Sequence, residues 1–436
     1  MKSEFLRLSD ANRRDFMLRT AKSVLGVSLL PGMSAKMAAA EAEAVSRSGP
    51  GTAGFGKAKH VIYLWMNGGM SHIDTFDPKE GATKGFGTPA RAKGDNLVAL
   101  GGYLPKLADL GDKLAIIRSM SSKTGVHEAG TYVMKTGYEP RGTIVHPAMG
   151  VWGSHFLGRI KDVTLPDSVV VNSGSAYPGA GFFPPAMSPI PISNPESGLQ
   201  NIKPTTSDGQ FAKRIGLMNE FDSSFRKKFQ SEDVKAYSEF YDETLKLMKS
   251  KDLTAFDLTQ ESPETRDKYG KNNFGQGCLL ARRLVENGVR FVEVQFGSWD
   301  MHNTIDNAMT ARGTILDTGF SALIQDLQAK GLLESTLIVL GSEFGRTPDV
   351  NENDGRDHYP LAYSTVFAGA GVKGGYAYGS TDKEGRRPAD KQTSPQDFLA
   401  TVGHAMGLPV DEVVMSPSNR PFTVADKGVP VVDLFA

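Results

Sequence analysis

The sequence HVIYLWM at residues 60–66 indicates the fold class, because it is apolar after its first residue and is followed directly by Asn67-Gly68-Gly69. A strand that is apolar at successive positions is covered on both faces, which is typical of a parallel sheet between layers of helices. Paired glycines favour a tight turn. The sequence therefore predicts a buried parallel strand that ends in such a turn.

Similar apolar runs alternate with helical segments along the rest of the chain. Strands are predicted at residues 113–118, 168–171, 290–296, 336–340 and 364–368, and helices at residues 277–287 and 315–330. Alternation of this kind indicates an α/β protein, and polar clusters follow the carboxyl ends of the strands, where open α/β sheets build their sites.

One long segment departs from this alternation. Residues 174–204 are rich in Pro, Gly, Ser and Asn, which predicts an ordered but irregular loop over a site. Residues 206–270 carry many charges on periodic apolar faces, as helices do. We therefore expect a main domain at residues 57–436, a linker at residues 41–56, and a loop-rich and helical insertion at about 174–270.

The N-terminus resembles a bacterial twin-arginine export signal. The sequence NRRDFM at residues 12–17 precedes an apolar run at residues 24–30, and small residues at 38–40 offer a cleavage site. The alternative is an amphipathic helix with an incidental pair of arginines, since the apolar run is too short to span a bilayer. The pattern predicts a signal peptide at residues 1–40 and export to the periplasm or cell envelope.

The charge balance and the single cysteine exclude several classes of function. Residues 1–40 hold seven Lys/Arg and three Asp/Glu, so cleavage changes the formal charge from 0 to 0 − 4 = −4, which gives no case for nucleic-acid binding. No later segment is long and apolar enough to span a membrane. Cys278 alone can form neither an intrachain disulfide nor a multi-thiolate metal site. The oligomeric state stays open.

Three clusters of acidic and imidazole side chains predict a metal site. Asp300 and His302 follow one predicted strand, Glu343 follows the next, and His358 precedes another. Carboxylate and imidazole ligands suit zinc, manganese or iron. Structural alternatives remain: polar side chains on an exposed loop, a salt bridge between Glu343 and Arg346, and a turn histidine bonded to a carbonyl.

Two further groups of residues are candidates for chemistry. Asp74 lies in the loop after the first strand, where a carboxylate can bind a metal or form a turn. Ser122, Thr124 and His127 lie at the start of a predicted helix, where they can attack a substrate, bind an anion or cap the helix. Arg346 is a candidate for binding an anion.

Six motifs, in order, give the chain a resemblance to a known superfamily. It is similar to the alkaline phosphatases and sulfatases, and more closely to exported bacterial proteins known as domain of unknown function fifteen-oh-one. The motifs are GGMSHIDTFDPK (68–79), FGQGCLLARRLVENGVRFVEV (274–294), WDMHN (299–303), SEFGRTP (342–348), GRDHYP (355–360) and TSPQDFLATVGHAMGLP (393–409). The resemblance implies a three-layer α/β/α sandwich with a mostly parallel sheet and a metal site at the strand ends.

The resemblance also assigns roles to residues. Superfamily members hold two metal ions about 4 Å apart around a phosphate or sulfate ester, with a Ser, Thr or modified Cys as nucleophile. It implies that Asp300, His302 and His358 hold a first ion of zinc, manganese or calcium. The second site is altered, with Asn67 in place of an Asp and Glu343-Phe344 in place of an Asp-His pair, so that Asp74 becomes a substitute ligand.

The nucleophile's position is altered as well. His127 stands where the superfamily has its nucleophile, and the chain has no sulfatase Cys signature. His127 is then a nucleophile or a general acid/base, Ser122 or Thr124 is a nucleophile if the loop folds back, and Arg346 stabilises the anion.

Two functions follow. The first is an exported metal-dependent hydrolase of a phosphate or sulfate ester, with one or two ions and a small-molecule or glycan ester as substrate. The second is an envelope protein that has lost catalysis and binds an anionic glycan or a protein partner. The changes at Asn67, Phe344 and His127 favour the second, whereas the retained acid and imidazole set favours the first, because unpaired buried carboxylates are costly.

Overall fold

The centre of the fold is an eight-stranded sheet. The structure is a computed structural model, which describes residues 49–94, 99–160, 163–173, 178–200, 202, 204–228 and 232–436. The predicted export signal lies outside these residues. The strands are β1 (His60–Met66), β2 (Ala90–Arg91), β3 (Ala99–Leu100), β4 (Leu114–Met120), β5 (Ser168–Val171), β6 (Ile190–Ile192), β7 (Phe291–Phe296), β8 (Thr336–Gly341), β9 (Gly345–Arg346), β10 (His358–Tyr359), β11 (Tyr363–Ala368), β12 (Tyr376–Tyr378), β13 (Ser380–Thr381), β14 (Pro388–Asp390), β15 (Val414–Met415) and β16 (Pro421–Phe422).

The helices lie between these strands. They are α1 (Pro105–Asp109), α2 (His127–Thr136), α3 (Met149–Leu157), α4 (Asp208–Lys228), α5 (Glu232–Met248), α6 (Pro263–Tyr269), α7 (Asn273–Glu286), α8 (Ile305–Ala329) and α9 (Pro395–Met406). Within the described ranges, none combines the length and the apolar character that crossing a bilayer requires.

The sheet is mostly parallel, with the order β12-β4-β11-β8-β1-β7-β5-β6. Strand β1 pairs in parallel with β7 on one side and with β8 on the other, and all of its residues are buried. Only β11 runs against its neighbours in this sheet, β4 and β8. The buried parallel strand predicted at residues 60–66 is therefore confirmed and lies near the middle of the sheet.

Helices cover both faces of the sheet. Ile62 and Leu64 belong to the same apolar cluster as Leu279 of α7 and other residues of α7 and α8. The alternate residues Val61 and Tyr63 belong to a second cluster, which includes residues of α2, α3 and α9. Because successive side chains of a strand point to opposite faces, this alternation places one helical layer on each side. The expected three-layer α/β/α sandwich is confirmed.

Helix α8 begins earlier than the sequence predicts, at residue 305 rather than 315. Its first turns hold Asn307, Thr310 and Gly313, which are weak helix formers and hide the apolar period. The buried side chains of Ile305 and Met309 anchor that part of the helix to the core. Tertiary packing here outweighs local propensity.

The segment predicted as an insertion contributes to the sheet as well as to the helices. Strand β6 pairs in parallel with β5 and forms one edge of the sheet. Helices α4, α5 and α6 follow it. Part of the segment from residue 174 to residue 270 therefore extends the central layer.

Candidate metal centre

The candidate ligands meet at the carboxyl-terminal edge of the sheet. Asp300 and His302 lie in the loop after β7, and Glu343 lies just after β8. His358 is in β10, directly opposite Arg346 of β9 in a short antiparallel pair. Loops that follow neighbouring parallel strands converge at one edge, which is where open α/β sheets bind ligands.

The turn after β1 allows the loop of Asp300 to come close. Gly68 has a φ of 124°, and a Cβ added to it would lie 2.4 Å from the backbone nitrogen of Asp300. A side chain at that position would push the loop away, so a glycine is required there. The backbone of Trp299 is held to this turn by a hydrogen bond from its N–H to the carbonyl of Asn67.

Asp300, His302 and His358 form a compact triangle of possible ligand atoms. Asp300 Oδ1 lies 3.0 Å from His302 Nε2 and 3.2 Å from His358 Nε2. The two Nε2 atoms are 3.1 Å apart. A triangle with these sides has a circumscribed radius of about 1.8 Å, so a point at the usual zinc-to-nitrogen distance of about 2.0–2.1 Å from all three atoms exists just outside its plane. The three residues therefore fit one metal ion.

The other ring nitrogen of each imidazole is held by an acceptor. His302 Nδ1 lies 2.9 Å from Asp357 Oδ1, and His358 Nδ1 lies 2.8 Å from the carbonyl oxygen of Gly125. A carbonyl or carboxylate oxygen only accepts, so Nδ1–H of each ring donates to it, and Nε2 is the nitrogen that faces the triangle and can bind a metal ion. This arrangement of anchored rings is characteristic of metal sites.

His127 and Glu343 form a pair beside the triangle. Glu343 is fully buried, and its Oε1 lies 2.8 Å from His127 Nδ1 and accepts a hydrogen bond of 2.8 Å from the Gly68 backbone N–H. The Ser342 hydroxyl donates to the other carboxylate oxygen at 3.1 Å. The hydrogen bond that His127 Nδ1–H donates to Glu343 raises the pKa of the His127 imidazole. Glu343 thus contacts His127 directly and does not lie at the triangle.

Arg346 is fully buried and contacts two members of the triangle, Asp300 and His302. Partial burial of Asp300 raises the pKa of its carboxyl group, but the Arg346 guanidinium and His358 outweigh that effect and lower the pKa to about 2. The guanidinium therefore keeps Asp300 ionised. Its N–H groups are directed to the carbonyl oxygens of Gly68, Gly69 and Arg356, to the Asp300 carboxylate and to His302 Nε2.

Asp74 is placed apart from the triangle in a buried ion pair. Its Oδ2 accepts a hydrogen bond of 2.8 Å from Arg356 Nε and one of 2.6 Å from the Ser71 hydroxyl. Its Oδ1 accepts from the Phe86 backbone N–H at 3.0 Å. Asp74 and Arg356 are both fully buried. The carboxylate is committed to these donors, and this part of the expected ligand set is not assembled.

Ser122 and Thr124 line a neighbouring cavity of about 360 Å³, which Glu343 also lines. The Ser122 backbone N–H donates to the Pro360 carbonyl, and the Thr124 hydroxyl accepts from the Val126 backbone N–H at 3.2 Å. Within the described part of the chain, neither hydroxyl is hydrogen-bonded to an imidazole of the triangle. The described hydrogen bonds thus do not link these two hydroxyls to the metal centre.

Sequence reasoning gave no role to Asp357 and Gly125, which orient two of the imidazoles. The signal for Asp357 was its position beside His358 in GRDHYP, since an aspartate next to one ligand can support another. Its carboxyl pKa is lowered by the hydrogen bonds from His302 and Asn351. Gly125 acts through its backbone carbonyl, a group that every residue has, so the residue type gives no signal for this role.

Comparison with known proteins adds a family and a set of distant structures. A family model described as Protein of unknown function (DUF1501) matches residues 58–435. No curated protein matches the sequence. Similar solved structures include the PsFucS1 sulfatase from Pseudoalteromonas sp., with 14% identity, a TM-score of 0.41, and coverage of 91% of this chain and 75% of that one.

Two further structures are similar at the same level. A putative sulfatase from Bacteroides thetaiotaomicron has 10% identity and a TM-score of 0.41, with coverage of 87% of this chain and 74% of that one. A protein in the alkaline phosphatase superfamily from Vibrio parahaemolyticus has 10% identity and a TM-score of 0.38, with coverage of 83% and 69%. The function must therefore be argued from the geometry of the site itself.

Proposed function

The chain belongs to the family described as Protein of unknown function (DUF1501), and we propose that it is an exported metal-dependent hydrolase of a phosphate or sulfate ester. One observation carries the proposal. The Nε2 atoms of His302 and His358 and one oxygen of Asp300 lie within 3.2 Å of one another, and both rings are held at Nδ1 by acceptors. Such a set has the donor types and the spacing of a metal centre.

The residues of the centre have different roles: some would bind the ion, and others orient those ligands or the substrate. When bound, a divalent ion polarises an ester oxygen and lowers the pKa of a coordinated water. Asp300, His302 and His358 would hold the ion. Arg346 keeps Asp300 ionised, and its buried positive charge favours an anionic substrate through space. Phe344 packs against His358, with ring centroids 4.9 Å apart, and excludes water from one side of that ring.

The donor set favours zinc, manganese or iron over calcium among the ions considered. Two imidazoles and one carboxylate suit these transition metals, whereas calcium takes six to eight oxygen ligands. The substrate class is a small-molecule or glycan ester, because the buried guanidinium favours an anion next to the ion. Export through the predicted twin-arginine signal would place this activity in the periplasm or cell envelope.

The proposal is tested by metal analysis of the full chain followed by an ester panel. Wild-type protein is expected to retain a stoichiometric divalent ion after dialysis and to hydrolyse para-nitrophenyl phosphate, para-nitrophenyl sulfate or a sulfated glycan. Asp300→Ala and His358→Ala should lose both properties. His155→Ala serves as the matched control, since His155 is exposed and lies in an aromatic contact with Phe183 away from the centre.

Three results would overturn all or part of this function. Wild-type protein without a stoichiometric ion contradicts the metal centre, and so does unchanged ion content in both variants. An ion without turnover of any ester contradicts the hydrolase and leaves the second function, an envelope protein that binds an anionic glycan or a protein partner.

A further inference from the structure

We propose that His127 is an additional protein ligand of the ion rather than the nucleophile of the reaction. The inference rests on the proposed metal centre and extends its ligand set from three side chains to four. It also assigns Glu343 as the residue that positions His127.

The free nitrogen of His127 is directed into the cluster. His127 Nε2 lies 3.4 Å from Asp300 Oδ2, and it is buried without a hydrogen-bond partner. The ring centroids of His127 and His358 are 4.3 Å apart. One ligand atom each from His127, Asp300 and His358 lie within 4.8 Å of one another. Asp300 therefore faces two imidazoles with Oδ1 and a third with Oδ2.

The other nitrogen of His127 is held in the same way as those of the first two imidazoles. Its Nδ1 lies 2.8 Å from Glu343 Oε1, as His302 Nδ1 lies 2.9 Å from Asp357. Glu343 is itself fixed by the Gly68 N–H and the Ser342 hydroxyl. A carboxylate that accepts the Nδ1 proton fixes the tautomer and makes Nε2 a stronger metal ligand. All three rings are thus held at Nδ1 and direct Nε2 to one region.

The same geometry argues against a nucleophilic role for His127. A nucleophilic nitrogen must direct its lone pair at the phosphorus or sulfur atom of the substrate, on the side opposite the leaving group. Here Nε2 is buried against the Asp300 carboxylate, and Nδ1 is occupied by Glu343. Neither nitrogen is open to an incoming ester.

Hydrolysis without a side-chain nucleophile proceeds by a single displacement. The oxygen of one water forms a bond to phosphorus or sulfur, and the bond between that atom and the ester oxygen breaks. The alcohol leaves with one proton of the water, and inorganic phosphate or sulfate carries the other or releases it to solvent. No covalent enzyme intermediate forms.

Metal affinity distinguishes a ligand from a nucleophile. Metal-free full-length protein is titrated with zinc in competition with a chromophoric chelator, for wild type, His127→Ala, Glu343→Gln and the control His155→Ala. We expect His127→Ala and Glu343→Gln each to weaken zinc binding by about 10-fold to 100-fold, and His155→Ala to bind as wild type does. Circular dichroism of each metal-free variant checks that it is folded.

A second measurement uses only the wild-type protein, so the test survives a variant that does not fold. Zinc-loaded protein is mixed with radiolabelled para-nitrophenyl phosphate and quenched in alkali, which preserves phosphohistidine. We expect no label on His127. Unchanged zinc affinity in a folded His127→Ala variant overturns the inference, and so does label on His127. In either case, zinc bound by wild type and lost in Asp300→Ala leaves the proposed function standing, whereas a wild type that binds no zinc overturns both.

Discussion

Asp300 and Asp74 are both aspartates paired with a buried arginine, yet their surroundings differ. The Asp300 side chain is 46% exposed, contacts Arg346, and faces imidazoles. Asp74 is 0% exposed, and its oxygens are occupied by Arg356, a serine hydroxyl and a backbone N–H. The Asp300 carboxylate is therefore partly accessible to a ligand. Both oxygens of the Asp74 carboxylate are buried and occupied by hydrogen-bond donors.

The difference shows that the role of an acidic residue depends more on the groups that contact it than on its position in the sequence. Both aspartates follow a strand at the same edge of the sheet, and both were candidate metal ligands. Burying a charge costs several kcal/mol unless it is paired, so a carboxylate closed in by an arginine and hydrogen bonds supports the fold. An accessible carboxylate beside the Nε2 atoms of imidazoles that are held at Nδ1 supports a metal centre.

The largest expected effect on stability separates the two aspartates. Asp74→Ala should lower the free energy of unfolding by about 3–5 kcal/mol, because it leaves the Arg356 guanidinium buried without a counter-charge. Asp300→Ala should lower it by a smaller amount, because Asp300 is partly exposed and the Arg346 guanidinium still lies near the carboxylates of Glu343 and Asp357. Denaturant unfolding of the metal-free proteins measures both.

An exposed pair supplies the control for this experiment. Asp349 forms a salt bridge with Arg386, and both side chains are exposed. Asp349→Ala should therefore change the free energy of unfolding by less than about 1 kcal/mol. Equal losses for Asp74→Ala and Asp349→Ala would contradict the structural role given to Asp74.

Asp357 tests how strongly the orientation of His302 matters. Asp357→Asn should weaken metal binding by about 10-fold, because a neutral amide holds the Nδ1 proton less firmly than a carboxylate does. Stability should change by no more than about 0.5 kcal/mol, since Asp357 is 56% exposed. Competition titration measures the affinity, and Asp390→Asn on the exposed strand β14 is the matched control. An unchanged affinity would show that His302 needs no carboxylate support.

The smallest effect is expected at the two hydroxyls that sequence analysis considered. Ser122→Ala and Thr124→Ala should each change turnover by less than about threefold, because neither side chain is hydrogen-bonded to the imidazoles and Thr124 mainly orders its own turn. Steady-state rates on the ester that wild type hydrolyses best measure this. A loss of about 100-fold in either variant would instead identify that hydroxyl as a nucleophile.

Local patterns were sufficient for the fold and for part of one cluster. The apolar run at residues 60–66 and the alternation of strands with helices predicted the layered architecture, because these patterns reflect burial that the strands impose. Asp300 and His302 could be placed beside Glu343 in advance because loops after parallel strands meet at one edge, whereas His358 was grouped with them through the resemblance to the superfamily. The structure brings the side chains of Asp300, His302 and His358 within 3.2 Å of one another.

Contacts between residues far apart in the chain could not be predicted from local sequence patterns. Arg356 lies 282 positions from Asp74, and Glu343 lies 216 positions from His127, so neither pairing leaves a local signal. Glu343 was considered as a metal ligand, whereas the structure places it against an imidazole and the Gly68 backbone. The early start of α8 was missed because packing holds weak helix formers in place.

Zinc-edge X-ray absorption of the zinc-loaded wild-type protein tests the central claim most directly, namely that Asp300, His302 and His358 hold one ion. The account predicts a shell of nitrogen and oxygen ligands at about 2.0–2.1 Å, together with the multiple scattering of imidazole rings. In a His302→Ala, His358→Ala double variant, the ring scattering should fall to no more than that of the one remaining imidazole, His127. A shell of water oxygens without imidazole in the wild type, or a spectrum that the double variant leaves unchanged, would contradict the account.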